Sequence, residues 1–171
     1  MKKLGMLLGL VLGCCCMAAN EIQVKEIVLN PGVNAHIWSD TKIKATAARV
    51  EGALVLHIVR NDTKLNDFTQ GQLMVQQSID LAAGKHYELS LKLKASEKVA
   101  VSCSLMQDQK PYTSLGQNTV TLEKDIARTI RLDIRPQQAV RGIYRIPNLC
   151  FGKVPSGVKV TLSDVTLREI Q

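Results

Sequence analysis

Apolar and polar residues alternate with a period of two along most of the chain. Ile22, Val24, Glu26 and Val28 alternate with Gln23, Lys25 and Ile27, a first strand stopped by Asn30-Pro31-Gly32. Lys42 to Val50 reads as a second strand, and Glu51-Gly52 turns it into Ala53 to Val59 as a hairpin. Arg60 to Gln70 carries Asn61, Asp62, Asn66 and Asp67 and reads as a loop. Strands then follow at Leu73 to Leu81, His86 to Ala95 and Val99 to Asp108, with Ala83-Gly84 and Ser96-Glu97-Lys98 as the connections. Thr119 to Leu122, Ala127 to Ile134, Gly142 to Cys150 and Val158 to Ile170 complete the set. In the last of these, parity slips between Leu162 and Val165, which predicts a β-bulge near Ser163-Asp164. About ten short strands, with no helical period beyond about two turns, give an all-β class and an antiparallel β-sandwich.

The N-terminus departs from this pattern. Lys2 and Lys3 precede an apolar run from Leu4 to Gly13, and the small residues Ala18 and Ala19 follow. That order is a secretory signal peptide over residues 1–19, and the run is shorter than the roughly 20 residues that span a bilayer. Two readings of the leader stand. Val11-Leu12-Gly13-Cys14 resembles a bacterial lipobox with Cys14 as the lipidated residue, which would anchor the protein to a membrane through lipid alone. Cleavage near Ala18 or Ala19 would instead discard Cys14, Cys15 and Cys16. Either way the chain is expected to be exported, to the cell envelope or beyond, and residues 20–171 to form one domain.

Charge and cysteine content narrow the classes further. The formal net charge is +7, of which Lys2 and Lys3 account for two. The remaining basic residues are dispersed, with no run of five or more like charges, which argues against nucleic acid as a partner. Cys103 and Cys150 are the cysteines of the expected domain. An oxidising compartment permits a disulfide between them; the alternative is two separate core thiols. Without nearby histidine pairs they form no zinc site. His36, His57 and His86 are scattered, His57 reads as an interior residue, and no nucleophile-elbow, metalloprotease or phosphate-loop motif occurs. The sequence therefore points away from an enzyme.

Glu51-Gly52-Ala53-Leu54, Val75-Gln76, Leu81 to Leu89 and Leu93-Lys94-Ala95 follow one another in an order that resembles the carbohydrate-binding modules of families 4 and 9. The resemblance continues through Pro111-Tyr112-Thr113 and ends at Leu162-Ser163-Asp164-Val165-Thr166-Leu167. It implies a galactose-binding-like β-jelly roll and noncatalytic binding of a polysaccharide or other glycan at the cell envelope. It also implies a structural calcium ion. Here the corresponding N-terminal block, Leu29 to Trp38, carries no carboxylate, and Asp164 is the matching acidic position. Calcium requires about six to eight oxygen ligands.

Sugar recognition uses flat aromatic faces and planar polar side chains. The chain has one Trp, three Tyr and two Phe, so few aromatics are available. Tyr87 shares parity with Leu89 and Leu91 and is expected in the core. The expected ligand-binding residues are Gln76, which matches the family's cleft glutamine, Tyr112 on a rim loop, Trp38 on a loop before the second strand, and Tyr144. Ser78, Ser90, Lys92, Ser104 and Met106 are expected to share the face of Gln76. The competing expectation is a structural module that has lost its sugar site and serves an envelope protein partner.

Overall fold

The computed structural model describes the strand residues 26–28 and residues 35–170. The expected signal peptide and Cys14 lie outside the described residues. Eleven strands are described: β1 (Glu26–Val28), β2 (Ala35–Ser39), β3 (Ile43–Val50), β4 (Ala53–Asn61), β5 (Gly71–Leu81), β6 (His86–Ala95), β7 (Val99–Gln107), β8 (Ser114–Leu122), β9 (Arg128–Ile134), β10 (Val140–Cys150) and β11 (Lys159–Ile170). One 3₁₀ turn, Phe68–Gln70, precedes β5.

Two antiparallel sheets face each other as a jelly-roll sandwich. The first runs β3-β4-β11-β6-β9, with β1 beside β11; the second runs β2-β5-β10-β7-β8. The expected hairpin is present. Val50 pairs with Ala53 across Glu51 and Gly52, both with positive φ (49° and 82°), the geometry that lets two strands with a right-handed twist meet through a two-residue loop. The expected bulge is present as well: pairing between β11 and β6 slips between Ser163 and Thr166, where Asp164 has φ 51°.

Alternation places one side of each strand in the core. Leu56 and Ile58 of β4, Leu89, Leu91 and Leu93 of β6, Leu73 and Val75 of β5, and Val101 and Leu105 of β7 belong to one buried cluster. Each such side chain contributes about 1.5 to 3 kcal/mol of apolar burial. Tyr87 joins the cluster as expected, and its hydroxyl accepts the Ala82 N–H at 3.0 Å. His57 corrects its expectation: it alternates out of the core between the buried Leu56 and Ile58, and is half-buried opposite Lys159.

Two connections shape one end of the second sheet. Asn61 holds the segment after β10, its Nδ2 donating to the carbonyls of Gly152 (3.0 Å) and Val154 (2.9 Å). The Phe151 ring lies against Gly71, where a Cβ would stand 2.5 Å from it. These contacts fix the 3₁₀ turn and Thr69 at the rim of the outer face of the second sheet.

Candidate functional site

The outer face of the second sheet is where sequence and structure converge. Register assigns its rows. Trp38 stands opposite Gln72, and Gln72 opposite Cys150. His36, Met74, Asn148 and Ser104 form the next row. Gln76, Arg145 and Met106 form the third. A bulge in β10 at Ile146-Pro147 sets Arg145 and Asn148 on this face although they are three residues apart. Proline cannot donate to the ladder, which is why a strand carrying one at this position bulges.

A cleft of about 410 Å³ opens on this face, lined by Trp38, Thr69, Gln72, Met74, Met106, Tyr112, Arg145, Asn148 and Cys150. Trp38 and Tyr112 are both solvent-exposed, at 52% and 44%, although they are large ring residues. Tyr112 sits in the turn between β7 and β8, with φ 57° and its N–H donating to the Gln109 carbonyl at 2.8 Å. A second hollow of about 330 Å³, lined by Gln76, Gln77, Ser78 and Ile143, continues the face along β5 and β10.

One ion pair organises the cleft wall. Arg145 Nε donates to Asp108 Oδ1 at 2.8 Å, Gln76 Nε2 donates to Asp108 Oδ2 at 2.7 Å, and Arg145 Nη1 donates to Gln72 Oε1 at 3.4 Å. The Arg145 guanidinium lies 5.2 Å from the centroid of the Tyr112 ring, within cation–π range. Burial pushes the Asp108 carboxyl up, but the hydrogen bonds from Arg145 and Gln76 and the Arg145 charge outweigh it and hold the group below its ordinary value. At the bottom of the cleft, Asn148 has no exposed surface, its Nδ2 donates to Cys150 Sγ at 3.5 Å, and its Oδ1 has no partner.

The expected site residues divide. Trp38 and Tyr112 line the cleft, and Gln76 faces the same side and is tied to its wall. Trp38 lies on β2, not on a loop. Tyr144 does not line the cleft: it pairs with Gln77 and Gln107 at inward parity, is 7% exposed and belongs to the core, where burial raises its phenol. Ser78, Ser104 and Met106 share the face with Gln76 as expected, but Ser90 and Lys92 belong to β6 in the other sheet. Gln72, Met74, Arg145, Asn148 and Asp108 were not among the expected residues.

The disulfide between Cys103 and Cys150 is not formed; both are buried free thiols. Cys103 pairs with Leu149 and Cys150 with Ser102 on β7 and β10, so the two cysteines point to opposite faces of one sheet. Burial pushes the Cys103 thiol up to about 12 and the Cys150 thiol up to about 11. The Asp164 carboxylate, the acidic position implied for calcium, is 2.9 Å from Lys92 Nζ, and among the described residues no group of three or more His, Cys, Asp or Glu side chains surrounds it; residues 29–34 of the N-terminal block lie outside the described residues.

No family model and no curated protein matches the chain. Solved structures share its fold. A CBM4 structure covers 85% of this chain and 95% of its own length, with 20% identity and a TM-score of 0.60. The N-terminal cellulose-binding domain of Cellulomonas fimi β-1,4-glucanase C covers 81% and 90%, with 14% identity and a TM-score of 0.53. A family 29 carbohydrate-binding module covers 85% and 92%, with 12% identity and a TM-score of 0.53. The chain therefore has the fold of carbohydrate-binding modules.

Proposed function

We propose that this is an exported, noncatalytic glycan-binding protein that engages a polysaccharide or oligosaccharide in the cleft between Trp38 and Tyr112. The observation that carries the reading is that two exposed rings line one cleft whose wall holds Gln72, Gln76 and Arg145 in a connected hydrogen-bond network. Rings present flat apolar surface to the C–H faces of a sugar. Planar amide and guanidinium groups bond hydroxyl pairs, and the network fixes their geometry before ligand arrives, which lowers the ordering cost of binding. Arg145, the charged residue of the cleft lining, is paired with the Asp108 carboxylate.

A shallow, preformed site of this kind supports affinities from micromolar to millimolar, about −4 to −8 kcal/mol. The resemblance to families 4 and 9 supports the same reading, and the likeness in fold to a cellulose-binding domain agrees with it. The signal-peptide pattern of residues 1–19 supports export, with Cys14 as the lipid anchor in the lipoprotein form. Mobility shift of the protein in native gels containing soluble polysaccharides tests the function. Retardation by at least one polysaccharide is expected, and unchanged migration through all of them contradicts the reading.

A further inference from the structure

The bottom of the cleft has a chemistry that sugar hydroxyls alone would leave unused. Met74, Met106 and Cys150 line it, giving a floor of two thioethers and a thiol. Burial disfavours the Cys150 thiolate, so this surface is uncharged and weakly polar. Within it, Asn148 is 0% exposed, and its amide nitrogen is spent on Cys150 Sγ and, at 4.0 Å, on Met106 Sδ. Its oxygen accepts nothing. Of two buried side-chain acceptors without a partner among the described residues, Gln70 Oε1 and Asn148 Oδ1, only the second belongs to a cleft-lining residue. A buried acceptor left unsatisfied is costly, and in a folded protein it asks for a partner.

Deepening the glycan-binding reading, on which it rests, we propose that the cleft selects sugars bearing an acetamido group. That group combines a methyl, one N–H donor and one carbonyl acceptor. The methyl suits the sulfur-lined floor, where a hydroxyl would exchange water mainly for weak sulfur acceptors. The N–H supplies the donor that Asn148 Oδ1 lacks. The carbonyl faces Arg145, which spends one N–H on Asp108 and one on Gln72 and retains three of its five. Met74 and Met106 are unbranched, and their side chains shift at low cost to let the group reach Asn148.

Two ligand pairs isolate the group. Chitohexaose and cellohexaose share a β-1,4 backbone and differ by acetamido against hydroxyl; methyl N-acetylgalactosaminide and methyl galactoside differ in the same way. Calorimetric titration of the protein should give the acetamido member of at least one pair a dissociation constant about tenfold lower or better, a factor equivalent to about 1.4 kcal/mol. In Asn148→Leu, which removes the acceptor without opening a void, that preference should fall toward unity. Equal or tighter binding of the hydroxyl member in both pairs overturns the inference and leaves the glycan reading standing, as does silence from both acetamido ligands when another polysaccharide binds. Silence from every glycan overturns both. A folded Asn148→Leu protein with its preference intact removes Asn148 from the assignment. If that variant does not fold, the ratio in the unaltered protein decides.

Discussion

Arg145 reaches across from β10 to place its Nε 2.8 Å from Asp108 Oδ1, and both side chains are more than four-fifths buried. Asp108 is thus the anchor of a wall that includes Gln76, Gln72 and, through the guanidinium, the Tyr112 ring. Asp108→Ala should leave Arg145 and Gln76 without their acceptor and destabilise the fold by about 1 to 3 kcal/mol, read from urea unfolding. Asp108→Asn should cost less. An Asp108→Ala protein as stable as the parent would contradict the role given to this pair.

The same carboxylate sets a pH dependence. Its folded value lies below the ordinary one, so its contribution is fully present above the unfolded value of about 3.9 and is lost as pH falls through the lower folded value. Unfolding free energies between about pH 2 and 6 should fall on the acid side, and the fall should be shallower in Asp108→Asn. Identical slopes in the two proteins would contradict the assignment.

Trp38 and Tyr112 are exposed and carry little of the core. Trp38→Ala and Tyr112→Ala should each weaken glycan binding by about 1 to 2 kcal/mol, as truncation of an anchoring ring does. Melting temperature should barely move, because surface substitutions of this kind stay within about 0.5 kcal/mol. Loss of binding accompanied by unfolding would instead make the rings structural.

Cys103 and Cys150 should be reduced in the native protein. Alkylation in denaturant without reductant, followed by peptide mapping, should label both; a cross-linked peptide pair would contradict the opposite-face geometry. In the native state both should resist alkylation near pH 8, since burial holds the thiols protonated.

Gly152 lies where a side chain would meet the Asp67 backbone carbonyl, with the Phe68 carbonyl at 2.9 Å. Backbone cannot yield as a flexible side chain can, so Gly152→Ala should cost about 1 to 3 kcal/mol and loosen the Thr69 rim. An unchanged melting temperature would show that the turn relaxes freely.

Much of the fold was legible because alternation is a local signal. The β3–β4 hairpin announced itself through Glu51-Gly52, the bulge in β11 through the parity slip at Ser163-Asp164, and the core through runs such as Leu89, Leu91 and Leu93. The site was legible only along one strand. Gln76 on β5 implied Gln72 and Met74 by the same parity, a step that strand alternation permits from sequence. Arg145 and Asn148 need the β10 bulge, for which Pro147 is the one hint in the sequence, and Tyr144, expected at the site, takes the inward side of β10. Trp38 read as a loop residue because β2 is short and mixed in character. Ser90 and Lys92 share the parity expected of the Gln76 face, but alternation tells which side of a strand a residue takes, not which sheet the strand joins. That is decided by long-range pairing, here β6 with β9 and β11.

Calorimetric titration of the unaltered protein, Trp38→Ala and Tyr112→Ala against a panel of soluble polysaccharides, with and without calcium, decides whether the Trp38–Tyr112 cleft binds a glycan. A saturable heat with at least one glycan is expected, strongly reduced in both folded variants. Silence across the panel from a folded protein, or binding undiminished in both variants, would contradict it.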